Sequence, residues 1–257
     1  MLIGSLYKTN QWWVGTLAGD PPRFTPDKVG ILDYGNGYAA KTGTTFVQGG
    51  DSRRLVFGFT GWSEPTMPHG CGRALIIPRE LIVSGSELLI RPIPEAAVLR
   101  VPTSHRTAHV TASGSAAIAS GSQVEVRLLC ALFAEAEPPK AGKTGIRTLS
   151  TADGSQYTEI GYDWAKQLFY VDHAKCCSAT PSSILQTAPL AIGALGPALN
   201  LSVYVDGGLI EAFLGGKVIT PLVAPDPAAG LPPQRTTSVV ETSGGVSCHV
   251  ESWQLAY

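Results

Sequence analysis

An all-β protein is predicted by three features of the sequence. Glycine (29) and proline (19) supply nearly a fifth of the 257 residues, against about 12% in average usage, so breakers interrupt any long helix. Several runs alternate apolar with polar residues at the period of two that a half-buried strand requires. No helical pattern intervenes between them, which excludes an all-α fold and points to an antiparallel sandwich for the second half.

Taken in order, the first region is rich in glycine and aromatic residues, from Trp12-Trp13 to the run Arg53–Trp62, where Leu55, Phe57 and Phe59 alternate with Val56, Gly58 and Thr60. Ile76-Ile77 and Leu88-Leu89-Ile90 read as further strands, each ended by proline, and Pro92–Arg100 has room for a turn or two of helix. The composition shifts between about residues 92 and 123, where the small, polar run 112–122 predicts a mobile loop. Beyond it, Val124, Val126 and Leu128 oppose Glu125 and Arg127, a strand with one wet face. Leu201, Val203 and Val205 oppose Ser202 and Tyr204, and the run turns at Asp206-Gly207-Gly208 into Leu209–Phe213. Trp253, Leu255 and Tyr257 predict a terminal strand.

Charge and length exclude several function classes. Nineteen Lys and Arg balance twenty Asp and Glu for a net charge of −1, so there is no basic footprint and no nucleic-acid partner is expected. No run approaches the roughly 20 apolar residues of a membrane span, so no membrane partner is expected. The segment Met1–Lys8 lacks the length and order of a signal peptide. Five cysteines, an odd number, leave at least one unpaired within the chain; adjacent Cys176 and Cys177 pair poorly with each other, and no Cys-x-x-Cys spacing suggests zinc.

Most local motifs fail on context. Gly35-Asn36-Gly37-Tyr38-Ala39-Ala40 fits the dinucleotide fingerprint, but Lys41-Thr42-Gly43 follows where a helix N-terminus is needed. Gly142-Lys143-Thr144 ends like a P-loop, yet the first glycine of that motif would fall at Glu137. There is no G-x-S-x-G and no H-E-x-x-H, and the histidines are scattered. His105 and His109 are four apart in a polar, β-rich context, which reads as solvated loop residues rather than ligands. Asn200-Leu201-Ser202 is a glycosylation sequon whose occupancy stays open, since Ser202 lies on a predicted strand. Asp206 and Glu211 flank a turn like a glycosidase pair, but a turn residue and an outward strand residue account for them better. Glu80 is expected to pair with an arginine at a strand end. Asp33, before Tyr34-Gly35, is harder to dismiss as a turn former.

Read as blocks, Ile31–Thr42, Arg53–Ser63, Ala74–Leu81, Leu88–Glu95 and Leu201–Phe213 resemble, in order, the motifs of glycoside hydrolase family 32, the invertases and fructan hydrolases. The resemblance implies a partial five-bladed β-propeller (residues 1–92, the last blades), a linker (93–103) and an antiparallel β-sandwich (104–257). It also implies a carbohydrate partner, sucrose or fructan, no cofactor, and an extracellular or vacuolar location that this chain itself does not decide. The family's nucleophilic Asp lies in an Asn-Asp-Pro motif, a second Asp in Arg-Asp-Pro, and its acid/base Glu precedes a Cys. None of the three asparagines here (Asn10, Asn36, Asn200) precedes Asp, and neither Arg-Asp-Pro nor Glu-Cys occurs. Roughly the first three blades are thus expected to be absent.

Retaining hydrolysis needs a carboxylate nucleophile and a general acid in one pocket. Losing one positioned acid/base forfeits about 10²–10⁴ in rate, and losing the nucleophile closes the route. No catalytic residue is therefore assigned, and the chain is expected to be inactive alone, a fragment of a β-fructofuranosidase-type hydrolase. Asp33, Tyr38 and Trp62 are the candidate substrate-binding residues. Tyr38 offers a hydroxyl to the sugar or to the carboxylates, and Trp62 a flat apolar face with one donor; against this stand a turn role for Asp33 and core packing for the two aromatics. The alternative from another class is a non-catalytic carbohydrate-binding or structural β-sandwich module.

Overall fold

The computed structural model describes residues 1–6, 9–46, 52–60, 74–111, 116–132, 138–176, 185–223, 236–240 and 246–256. Strands β1 (Leu2–Leu6), β2 (Thr9–Ala18) and β3 (Arg23–Ile31) form one antiparallel sheet in sequence order. β4 (Gly37–Phe46), β5 (Ser52–Thr60), β6 (Arg79–Ser84) and β7 (Glu87–Pro92) form a second, again in sequence order. Simple up-and-down sheets of this size are the blade units of a propeller.

Two short 3-10 turns, Pro94–Leu99 and Pro102–Ser104, carry the chain onward. Twelve further strands follow among the described residues: β8 (Arg106–Val110), β9 (Ala117–Ser120), β10 (Gln123–Ala131), β11 (Lys143–Ser150), β12 (Thr158–Asp163) and β13 (Leu168–Asp172), then β14 (Leu185–Pro189), β15 (Ala198–Asp206), β16 (Leu209–Leu214), β17 (Lys217–Ile219), β18 (Thr236–Val240) and β19 (Cys248–Gln254). They build two six-stranded antiparallel sheets, ordered β17-β16-β15-β10-β19-β8 and β14-β13-β12-β11-β18-β9. The fold is the all-β arrangement expected, a partial propeller followed by a β-sandwich. Among the described residues no helix is long and apolar enough to cross a membrane.

Alternation explains the sandwich core. Val124, Val126 and Leu128 of β10 and Leu201, Val203 and Val205 of β15 point inward from one sheet. Ile146, Ile160, Phe169 and Val171 meet them from the other. A disulfide joins Cys130 of β10 to Cys248 of β19, with their Cα atoms 4.1 Å apart. A second core lies between the blades and the sandwich: Trp12, Val14, Val56, Leu88 and Ile90 pack with Tyr204, Phe213 and Val218. β16 is consequently buried along its whole length, with Ile210, Ala212 and Leu214 in the sandwich core and Phe213 in the seam. Each large apolar side chain so buried contributes about 1.5–3 kcal/mol.

Five expectations need correction. Ile76-Ile77 is not a strand: Leu75 makes an isolated bridge to Phe59, and pairing resumes at Arg79, once Pro78, which has no N–H to give a ladder, is passed. Residues 117–120, expected in a loop, form β9, because β18 offers them a partner edge; 112–115 lie outside the described residues. His109, also expected in a loop, lies in a strand, Arg106–Val110, because β19 pairs with it. Glu125 is not on a wet face. The linker folds over it, and Arg100 donates to both of its oxygens at 2.7 Å. Glu211 is not outward either, as the seam buries it. Glu80 does pair with an arginine, Arg91, at 2.8 Å.

Candidate functional site

The block that stood out in the sequence begins where β3 ends. Asp33 closes a tight turn, its Oδ1 accepting from the Gly35 amide at 2.8 Å. The same carboxylate reaches into the seam between blades and sandwich. Its Oδ2 accepts from Arg79 Nη1 at 2.7 Å and from the Thr220 hydroxyl at 2.6 Å, and Oδ1 from the Thr220 amide at 3.2 Å. Arg79, the first residue of β6, donates through Nη2 to Glu211 Oε2 at 2.6 Å and to Thr220 Oγ1 at 2.7 Å. Glu211 Oε1 takes the Ile77 amide at 2.6 Å. Both ion pairs are sealed, every side chain in them being 1% exposed.

The electrostatics follow from that sealing. Burial pushes the Glu211 carboxyl up from its ordinary value, and Arg79 and the Ile77 amide pull against it. Burial also works to lower the Arg79 pKa, but Asp33 and Glu211 outweigh it and hold the guanidinium above its ordinary value. A charge this dry is tolerable only when paired and hydrogen-bonded. Asp33 and Glu211 are thus two carboxylates brought together, as a glycosidase needs, but a guanidinium fills the space between them and no sugar can enter it. The arrangement is a clamp between the two halves of the chain.

Backbone pairing continues the clamp. The Tyr34 amide donates to Val218 O at 3.0 Å and the Asn36 amide to Thr220 O at 2.6 Å, so residues 34–36 lie along the edge of β17 like an added strand. Gln186 donates to Asn36 Oδ1 at 2.9 Å, and the Ile90 amide to Gly216 O at 3.0 Å. The two glycines of the motif are required by this approach. A Cβ on Gly35 would sit 2.5 Å from Thr220 backbone atoms, and one on Gly37 2.2 Å from the Asp33 carboxylate. The dinucleotide-like spacing is therefore a packing pattern.

Tyr38 is placed differently. It lies at the start of β4, half-buried, edge-to-face with Phe59 at 5.9 Å between ring centroids. Immediately after it the register slips between Tyr38 and Lys41, a bulge in which Ala39 takes a φ of 49°. Bulges re-aim side chains and are enriched beside active sites. β4 is the last strand of its sheet, with no further strand beyond it among the described residues, although Asn10 Nδ2 donates to Gly37 O at 3.1 Å. Trp62 lies outside the described residues. The structure thus brings Asp33 to Arg79, Glu211 and Thr220, whereas Tyr38 packs on Phe59.

Sequence reasoning missed Arg79, Glu211 and Thr220 as a unit. One signal was available: Glu211 is the lone charge in the otherwise apolar run Leu209–Leu214, and a strand buried on both faces must give such a charge a partner. Beside the clamp, Ile76, Ile77, Pro78, Tyr204, Asp206 and Leu209 line a groove of about 260 Å³.

Comparison with known proteins gives consistent results. The family model described as "Glycosyl hydrolases family 32 C terminal" matches residues 96–255. A levanase of Bacillus subtilis (strain 168) is 28% identical over 217 residues, which cover 78% of this chain and 31% of that protein. Among solved structures, fructan 1-exohydrolase IIa from Cichorium intybus in complex with 1-kestose superimposes with a TM-score of 0.78 at 17% identity, covering 96% of this chain and 55% of that one. An exo-inulinase from Aspergillus awamori gives 0.74 at 19% identity, covering 96% and 50% respectively. The chain therefore spans about a third of the levanase and about half of these solved chains.

Proposed function

The chain belongs to glycoside hydrolase family 32, and from that membership we propose that it is the C-terminal part of a β-fructofuranosidase-like hydrolase, acting in complete form on the fructosyl bond of sucrose or fructans. The complete enzyme works by a retaining two-carboxylate mechanism, and this chain alone does not turn over. The observation that carries the reading is the fate of its buried carboxylates. Asp33 and Glu211 are both spent on Arg79, and a nucleophile must instead face an open pocket beside a proton donor. The missing Asn-Asp-Pro, Arg-Asp-Pro and Glu-Cys motifs support the same reading.

Tyr38 and Trp62 are assigned to the border of the sugar pocket, Tyr38 because it stands beside a bulge on an edge strand. Asp33 serves that pocket at one remove, by anchoring the segment that carries Tyr38. The division into blades (1–92), linker (93–103) and sandwich (104–257) belongs to the same proposal, with the linker held down by Arg100 on Glu125.

The test is fructose release from sucrose, inulin and levan by the purified chain, alongside the intact mass of the native protein captured by an antibody to the sandwich. No release by the 27.0 kDa chain, and release by a heavier native species, are the expected results. Turnover by the short chain would overturn the reading.

A further inference from the structure

The sandwich sheet that holds β10 and β19 ends at β8, which has a strand neighbour on one side only among the described residues. Its register with β19 sets His109 directly opposite His249. Both are exposed, and they share the outer face, because their neighbours Val110, Cys248 and Val250 point into the sandwich core.

Whether facing side chains converge depends on the kind of pair. In an antiparallel ladder, hydrogen-bonded pairs with Cα atoms about 5.5 Å apart alternate with non-hydrogen-bonded pairs at about 4.5 Å, whose side chains lie closer. Cys130 and Cys248 have Cα atoms 4.1 Å apart, so theirs is a non-hydrogen-bonded pair and Cys248 turns its amide and carbonyl toward β8. His249, one residue on, turns its own toward β10. The main chain farther along agrees: the Leu255 amide bonds to Gln123 O on the β10 side, while Gln254 O takes the Val101 amide on the other. His249 and His109 therefore form the close kind of pair.

We propose that His109 and His249 form a two-imidazole chelate for a divalent transition-metal ion, Cu²⁺, Ni²⁺ or Zn²⁺. Imidazole nitrogen suits these ions, whereas Ca²⁺ and Mg²⁺ take oxygen ligands. Among the described residues no three His, Cys, Asp or Glu side chains make a fuller metal cage. Glu251, the next outward residue of β19, is engaged with His105 at 3.1 Å. Water completes the coordination. A bound ion ties the edge strand β8 to its neighbour at the point where the chain has just left the linker.

The full chain, stripped with chelator, is titrated calorimetrically with CuCl₂, NiCl₂, ZnCl₂ and CaCl₂. One ion per chain is expected for the three transition metals, Cu²⁺ tightest, and none for Ca²⁺. His109→Ala and His249→Ala, both at exposed positions, should each weaken binding at least about tenfold, the scale of losing even a supporting group at a metal site, while His105→Ala retains it. Amide exchange in β8 should slow on adding NiCl₂ to the wild-type chain and stay unchanged in the two variants. Absence of a stoichiometric ion, or binding that survives both variants, overturns the proposal.

Discussion

Arg79→Met leaves Asp33 and Glu211 facing each other in a dry seam without the guanidinium that separates them. The side chain is of similar reach and apolar, so what the substitution removes is three donated hydrogen bonds and the charge. Breaking a buried ion pair by deleting one partner costs about 3–5 kcal/mol, because a charge is stranded. Against a total stability of about 5–15 kcal/mol, that is a large fraction. In urea, a loss of about 4 kcal/mol over a slope of about 3 kcal/mol per molar lowers the unfolding midpoint by roughly 1 M. Combining Arg79→Met with Asp33→Asn and Glu211→Gln removes the stranded charges too, and should recover more than half of the loss. The pH dependence has a definite sign. A carboxyl whose folded pKa is raised, as burial does to Glu211, adds stability that is full below its unfolded value and lost as pH rises through the folded one. Removing Arg79 raises Glu211 further, so the gap between wild type and Arg79→Met narrows as pH falls from the variant's raised Glu211 value toward the wild type's, both above the ordinary carboxyl range. A single variant within about 0.5 kcal/mol of wild type, the range of an ordinary surface change, would refute the reasoning. So would a triple variant no better than the single.

Gly35→Ala should lose about 1–3 kcal/mol in chemical denaturation, since its Cβ meets the Thr220 backbone at 2.5 Å, and the Asn36 amide should exchange faster. Replacing Cys130 and Cys248 with alanine opens a loop spanning 118 residues and should cost about 2–5 kcal/mol by the same assay. The Asp153 carboxyl, held down to about 2 first by the Thr151 hydroxyl and then by the Ser155 amide, should titrate there by carboxyl NMR. Its folded pKa is depressed, so its share of stability is present above the unfolded value and is lost as pH falls through about 2; a midpoint near 4 would disprove that hydrogen-bonded turn.

The sandwich was legible in the sequence because β10, β15 and β16 each carry the period-two signature, and the turn Asp206-Gly207-Gly208 fixes the register of Tyr204 against Glu211. The blades were legible chiefly as ordered blocks. What stayed hidden depends on a second surface. Glu125 has the pattern of a solvent-facing residue, and the linker's Arg100, stacked on Trp253 at 3.9 Å, covers it and makes its position dry. Asp33 attracted notice through its glycines, but its partners are Arg79, Glu211 and Thr220, which no local pattern links. His109 and His249 are likewise distant in sequence and become neighbours through the β8–β19 register alone.

The span of the clamp also sets a timetable for synthesis. Thr220 follows Asp33 by 187 residues, and Glu211 follows Arg79 by 132. At about 5–20 residues per second, Asp33 leaves the ribosome roughly 10–40 s before its hydroxyl partner exists. Until then the nascent blades hold the Asp33–Arg79 pair without its Glu211 and Thr220 partners, beside an open apolar seam. The arrival of β16 and β17 then closes the seam, and β18 and β19 follow to complete the two sandwich sheets.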